Sequence, residues 1–333
     1  MKNTIITIFF SLLAIISIAQ EKYTISGFVQ DESSGENLIG VSIYDKETYK
    51  GTASNQYGFY SLTIEEGDYE IIYSFIGYKS ITKNIKLNKD LRLNLALSNN
   101  AIMTEEVLVT GERLDKNVSS SNMSQNKIGV DNIKQLPVIL GEVDILKSAQ
   151  LLPGIQSGGE GSSGLYVRGG GPDQNLILLD EAVVYNAAHL FGFFSVFNAD
   201  AIKDINIIKG GMPAEYGGRL SSVLDITMKD GNNKKYEAAG GVGLLSSRLT
   251  IEGPVQKDKS SFIVSGRRTY IDVLSKPFLN SDNAFSGSGY YFYDLTTKVN
   301  YKISDKDRLY LSGYFGRDVF SFNNSDNGIG IEI

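Results

Sequence analysis

The chain has 333 residues, a formal net charge of -6, one histidine, and neither cysteine nor tryptophan. Without cysteine it can form no disulfide or thiolate metal site, and one histidine excludes a His-rich metal cluster. The acidic balance gives a nucleic-acid partner no electrostatic support, while 42% hydrophobic residues are enough for real cores in roughly two or three domains.

At the N-terminus, Lys2 precedes an apolar run over residues 5–18 that ends in the small-x-small site Ser17-Ile18-Ala19. The pattern predicts a secretory signal peptide over residues 1–19, cleaved after Ala19. The run is short for a transmembrane helix. No later stretch is long, apolar and uncharged, so anything in this chain that spans a membrane must be a β-barrel.

Residues 20–98 read as short alternating strands punctuated by turns. Tyr23-Thr24-Ile25-Ser26-Gly27-Phe28-Val29 alternates, Asp31 through Gly35 turns, and Val41-Ser42-Ile43-Tyr44, Gly58-Phe59-Tyr60-Ser61-Leu62 and residues 69–75 follow as strands. Residues 81–85 and 91–97 complete a small β-sandwich. The segments Gly27-Phe28-Val29-Gln30-Asp31, Leu38-Ile39-Gly40-Val41, Gly58-Phe59-Tyr60 and residues 73–78 resemble the carboxypeptidase regulatory-like domain, a transthyretin-like sandwich that commonly precedes exported receptors. Its glycines and aromatics serve turns and packing, and no catalysis is assigned to it.

Residues 99–125 form a linker. Thr104-Glu105-Glu106-Val107-Leu108-Val109-Thr110-Gly111 is a short apolar strand between acidic flanks, and a polar, serine-rich stretch follows. A lone extended segment in a tether suits addition to another protein's sheet edge, where backbone hydrogen bonds supply the affinity. On periodicity alone it reads rather as an ordinary first strand of the next domain.

Residues 126–230 carry the richest signal. Residues 141–152 read as an amphipathic helix stopped by Pro153-Gly154. Residues 157–164, with four glycines and no apolar side chain, read as a loop. Strands follow at Leu165-Tyr166-Val167-Arg168, at Leu176-Ile177-Leu178-Leu179-Asp180, over residues 202–210 and at Val223-Leu224-Asp225-Ile226-Thr227-Met228. The ordered set of Leu152-Pro153-Gly154, Tyr166-Val167-Arg168-Gly169-Gly170, residues 175–180, residues 205–210, Pro213-Ala214-Glu215-Tyr216-Gly217-Gly218-Arg219-Leu220 and Asp225-Ile226-Thr227 resembles the plug domain of TonB-dependent outer-membrane receptors. Within it, Arg168, Gly169, Gly170, Asp180, Gly210, Glu215, Tyr216, Gly217, Gly218 and Arg219 are the motif positions. The resemblance makes Glu105, Glu106, Val107, Leu108, Val109, Thr110 and Gly111 a TonB-box candidate, the peptide that meets the energy-coupling protein TonB. It departs from the family pattern by following an extra domain.

Residues 231–333 read as the start of a barrel wall. Residues 260–270, 290–303 and 308–320 are long alternating strands, and in the last Leu309, Leu311, Gly313 and Phe315 share one face. Connections alternate in length: residues 256–259 are short, 276–289 long and 304–307 short. If short turns face the periplasm, residues 236–255 must be two strands meeting near Ser246-Ser247, which makes five strands in all. The alternative is one long strand. Plugged transporters have roughly 22 strands, so the expectation is a truncated receptor with an incomplete barrel.

Rival chemistry is weak. Gly169-Gly170-Gly171 lacks the lysine and the helix start of a phosphate loop. His189 sits among aromatics and suits packing or a loop contact. Asp144, Asp180 and Asp225 stand at element ends, where they cap or pair; Arg168, Glu215 and Arg219 suit a structural ion-pair network. The expected fold is mainly β, with a transthyretin-like sandwich, an α+β plug and the first strands of an antiparallel transmembrane barrel. The expected function is not enzymatic and needs no cofactor. It is TonB-coupled uptake of a scarce or bulky ligand at the outer membrane, with sandwich and plug on the periplasmic side. Ser162, Ser163, His189 and Phe191 are expected on ligand-facing loops, and siderophore, cobalamin, oligosaccharide and peptide all remain as ligands. The alternative is a periplasmic or surface binding protein that works through the sandwich.

Overall fold

The computed structural model describes residues 21–99, 125–134, 142–159, 164–189, 192–275, 289–304, 306–324 and 329–332. The signal-peptide segment, the TonB-box candidate at residues 105–111, and Ser162, Ser163 and Phe191 lie outside the described residues. The fold is mainly β and divides into two compact units.

The first unit contains β1 (Lys22–Asp31), β2 (Ser42–Asp45), β3 (Gly51–Ala53), β4 (Phe59–Glu65), β5 (Gly67–Ser74), β6 (Ile81–Leu87), β7 (Leu91–Arg92) and β8 (Leu95–Leu97). One sheet has the order β4-β1-β7, with β8 also on β1, and the other β3-β2-β5-β6. Alternate residues of both sheets point into one core, where Ile25, Val29, Val41, Ile43, Ile71, Tyr73 and Leu97 are fully buried. The Tyr60 hydroxyl lies 3.0 Å from that of Tyr73 and donates to the Leu93 carbonyl at 2.8 Å, so both buried phenols are satisfied.

The single strand expected over residues 91–97 is broken into β7 and β8. Leu93 N–H donates to Ser26 O at 2.8 Å and the Asn94 side chain accepts from Phe28 N at 2.9 Å, so this segment crosses directly over Gly27. A Cβ at Gly27 would stand 2.0 Å from Leu93 O, so only glycine permits the crossing.

The second unit begins with an α+β body: β9 (Gln125–Gly129), α1 (Val130–Lys134), α2 (Ile145–Gln150), β10 (Ile155–Ser157), β11 (Leu165–Val167), β12 (Asn175–Leu179), β13 (Ala182–Val183), β14 (Ala188–His189), β15 (Phe194–Ser195), β16 (Ile202–Ile208) and β17 (Ser222–Met228). Five of these strands form one sheet in the order β13-β12-β17-β16-β9, with β12 and β17 parallel and the other pairs antiparallel. Their near-continuous apolar runs follow from burial on both faces: Ile205, Ile207, Ile208, Val223, Leu224 and Ile226 are all fully buried. Helix α2 is shorter than the 141–152 expectation. Asp144 takes an extended backbone and its carboxylate accepts from Lys147 N at 3.0 Å, so the helix starts after it, and Ile145, Leu146 and Ala149 face the core.

The same unit continues into β18 (Glu237–Val242), β19 (Ser246–Gln256), β20 (Ser260–Thr269), α3 (Ile271–Ser275), β21 (Gly289–Lys302), β22 (Arg308–Asn324) and β23 (Ile329–Glu332). The six strands pair antiparallel in chain order, one sheet added neighbour by neighbour. Residues 236–255 do contain two strands. They meet just before Ser246-Ser247, because Ser246 is already paired with Thr269 and its carbonyl accepts from Gly243 N at 2.8 Å. Strand β23 adds a sixth strand to the five expected.

Candidate functional site

The long sheet is inside out by the standard of a water-soluble protein. Along β21, Phe292, Asp294, Thr296, Lys298 and Asn300 are buried, whereas Leu295, Val299 and Tyr301 are exposed. The same holds for its neighbours. Arg267, Ser265 and Thr250 are buried, and Leu249, Ile251, Val264, Leu309, Leu311 and Phe315 are exposed. Polar residues one way and apolar the other, at period two, suit a wall with lipid outside and a polar filling inside. Here the filling is the α+β body, and the seam between the two is the candidate functional site.

Three ionic clusters form the seam, buried at their centres, with Lys134 (35% exposed) and Asp318 (41% exposed) at the edge. At the first, Lys298 of β21 places Nζ 3.0 Å from Asp180 and 3.0 Å from Asp230, and donates to Met228 O at 3.2 Å. Asp180 and Glu181 make the tight β12–β13 turn with φ of 45° and 70°, and Asp180 also accepts from Met228 N at 2.8 Å. Asn300 and Ser261 of the wall both donate to Asp230 O, at 2.8 and 2.7 Å.

At the second, Asp200 lies 2.6 Å from Arg248 of β19 and 3.0 Å from Lys134 of α1. Burial pushes this carboxyl up, but the two cations outweigh burial and hold it below the usual carboxylate range. Asn198 donates to Ser265 at 2.7 Å beside it.

The third cluster is the most connected. Arg267 of β20 donates to Asp294 of β21 from Nε at 2.9 Å and Nη2 at 2.6 Å, and from Nη2 to Ser195 O at 2.7 Å. Glu142 stands 3.7 Å from Arg267, and one of its oxygens is buried without a hydrogen bond, so desolvation pushes this carboxyl up despite the guanidinium. His189 reaches Asp294 with Nε2 at 2.7 Å and Asp318 of β22 with Nδ1 at 2.8 Å, and its ring stacks on Phe292 at 4.1 Å. The hydroxyls of Tyr314 and Tyr290 bond to Asp294 (2.8 Å) and to Asp318.

The motif positions fall into two groups. Arg168, with φ of 49°, precedes Gly169 at 87°, and its guanidinium covers Gly210 so closely that a Cβ there would meet Nη1 at 2.5 Å. Gly170 packs against Ser221, where a Cβ would meet the side-chain oxygen at 2.4 Å. Separately, residues 215–219 form a surface turn. Tyr216 donates to Asp225 at 3.2 Å, Arg219 donates to Gly218 O at 2.9 Å, and Glu215, Gly217 and Gly218 are exposed. Asp144, Asp180 and Asp225 cap, pair or accept hydrogen bonds.

His189, one of the positions expected on a ligand-facing loop, ends β14 and at 3% exposure is held inside the seam by two wall carboxylates. The wall partners Arg248, Arg267, Asp294, Lys298 and Asp318 were not singled out by motif. The signal that marks two of them is a pair of charges four residues apart, Asp294 and Lys298, on the face opposite the aliphatic residues of β21.

A family model described as CarboxypepD_reg-like domain matches residues 25–109, and one described as TonB-dependent Receptor Plug Domain matches residues 115–222. The chain is 26% identical over 237 residues to the vitamin B12 transporter BtuB of Vibrio vulnificus, covering 68% of this chain and 37% of that protein. It is 25% identical over 256 residues to the TonB-dependent receptor SusC of Bacteroides thetaiotaomicron, covering 72% and 24%. The chain thus spans about a third and a quarter of the lengths of these relatives. Among solved structures, the siderophore receptor PirA of Acinetobacter baumannii aligns at 20% identity and a TM-score of 0.43, over 61% of this chain and 32% of that one. Two family matches in tandem and two related receptors agree: the chain carries a carboxypeptidase regulatory-like domain followed by a TonB-dependent receptor plug domain, and is similar to the corresponding part of such receptors.

Proposed function

We propose that this chain supplies the sandwich, plug and opening wall strands of an outer-membrane receptor that imports a scarce or bulky ligand with energy from TonB. The observation that carries the proposal is the inverted sheet, whose buried polar face is ion-paired to the plug while its aliphatic face is exposed. A binding protein acting through the sandwich alone has no use for that face.

In this reading the domains are residues 20–98, 99–125, 126–230 and 231 onward, behind a signal peptide. Ligand binds from outside on plug apices and wall loops and shifts the plug. TonB pairs with Glu105-Glu106-Val107-Leu108-Val109-Thr110-Gly111 as an added strand and pulls. The ligand classes are those set out from sequence, siderophore, cobalamin, oligosaccharide and peptide, and the relative named as a vitamin B12 transporter keeps cobalamin among them. No covalent step is required.

The test uses the full receptor containing this chain, in a strain where it is the sole route for each candidate ligand. Val107→Pro removes a backbone donor that strand pairing needs. Uptake should fall to background while whole-cell ligand binding is unchanged. Uptake that persists in a strain lacking TonB, or that survives deletion of residues 105–111, refutes the coupling.

A further inference from the structure

The environment of His189 contains a proton count that packing alone does not explain. Asp294 Oδ2 takes two bonds from Arg267, and Asp294 Oδ1 takes the Tyr314 hydroxyl and His189 Nε2. Asp318 takes the Tyr290 hydroxyl on one oxygen and faces His189 Nδ1 with the other. An ionised carboxylate only accepts, so both ring nitrogens must donate, and a neutral imidazole has a single N–H. The geometry therefore contains one proton more than a neutral histidine and two carboxylates would have. The count is the same whether that proton is drawn on Nδ1 or on the facing Asp318 oxygen. Without it, two lone pairs oppose each other at 2.8 Å, at a ring only 3% exposed.

Every element packed around the ring bears on its charge. Wall strand β20 presents Arg267, which opposes a positive ring; β21 presents Asp294 and Tyr290; β22 presents Asp318 and Tyr314. From the plug come Glu142 beside Arg267, Asp144 accepting from Ser195 N at 2.8 Å, and Lys147 over the Phe193 ring at 4.4 Å. The two carboxylates in direct contact outnumber the one guanidinium, which bonds the other oxygen of Asp294 and lies over the Phe292 ring.

The geometry points to a proton-operated latch: His189, bridging Asp294 and Asp318, clasps the β14–β15 pair of the plug to the wall while the extra proton is present and frees it when the proton leaves. Val196 N–H, bonded to Ala187 O at 3.0 Å, and Phe193 N–H, bonded to His189 O at 3.1 Å, report whether this pair is closed. The latch goes beyond the transport proposal. Its bearing on ligand passage rests on that proposal, but the measurement below does not, so the two fail separately.

Hydrogen exchange at these two amides is followed by mass spectrometry in the full receptor, from about pH 5 to about pH 9, after correction for intrinsic rates. In the wild type, the opening constant should rise about tenfold per pH unit wherever the closed latch still holds the proton and the open one has released it. Asp318→Asn is the discriminating variant. Its carboxamide can donate to Nδ1 while Nε2–H stays with Asp294, so a neutral ring is fully satisfied and protection should be independent of pH. Flat protection in the wild type, or the wild-type slope retained in Asp318→Asn, overturns the latch. If that variant does not fold, ring 15N shifts of the wild type, assigned by their loss in His189→Gln, decide instead. A doubly protonated ring, or one titrating together with Asp318, wherever the amides are protected supports the latch; a neutral ring with ionised Asp318 under full protection overturns it.

Discussion

Replacing Lys298 by methionine should be among the most damaging single changes in the second unit. The ammonium is buried between Asp180 and Asp230, each 3.0 Å away, with side-chain exposures of only 6%, 11% and 10% for the three. Methionine fills the stem's volume but leaves two buried carboxylates facing each other without a cation. Breaking a buried pair from one side costs about 3–5 kcal/mol, because the partner's desolvation is no longer offset. Loss of the bond to Met228 O adds about 1 kcal/mol. Asp180 keeps its bond from Met228 N, so the low end of this sum applies, about 4 kcal/mol or about a thousandfold in equilibrium. Chemical unfolding in detergent micelles at neutral pH measures it. The triple variant Lys298→Met, Asp180→Asn, Asp230→Asn should recover most of the loss, since matched neutral groups need no cation. A single variant within 0.5 kcal/mol of wild type, a margin typical of bland surface changes (about 0.5 kcal/mol), refutes the account. So does a triple variant as unstable as the single.

Further outcomes follow from the same seam. Asp200 has its folded value lowered from 3.8, so its contribution is present above that value and is lost as pH falls through the lower one. Asp200→Asn should therefore weaken the protein at neutral pH but flatten its acid unfolding below about pH 4, read by tyrosine fluorescence. Burial pushes the Glu142 carboxyl up and disfavours its ionised form, so Glu142→Gln should raise the unfolding midpoint slightly rather than lower it. Leu311→Arg, on the exposed face, should cost about 2–4 kcal/mol of membrane insertion, seen as loss from the outer-membrane fraction, with the plug seam untouched. Gly27→Ala should unfold or markedly destabilise the sandwich by thermal melt, because the Leu93 carbonyl occupies the space a methyl group needs.

Local rules reached far along this chain. Period two placed Leu309, Leu311 and Phe315 on one face of β22, and all three are exposed there. The alternation of short and long connections divided residues 236–255 into two strands. Asp144 was legible as a cap or partner from its place at the start of an apolar helix. Where local rules failed, a distant contact had intervened. The strand over residues 91–97 breaks because it crosses Gly27, and α2 begins late because Asp144 also bonds Ser195 N. The partners of His189 were illegible for the same reason: they lie 105 and 129 residues further on, and nothing in Ala187-Ala188-His189 announces them.

The amino-acid order by itself determined most of the strands and their inward and outward faces, because side-chain alternation and turn residues act over a few positions. Which plug carboxylate meets which wall cation was decided only when sheet and body closed on each other. A buried charge is tolerated only beside its partner, and that neighbour is chosen by tertiary packing, not by distance along the chain.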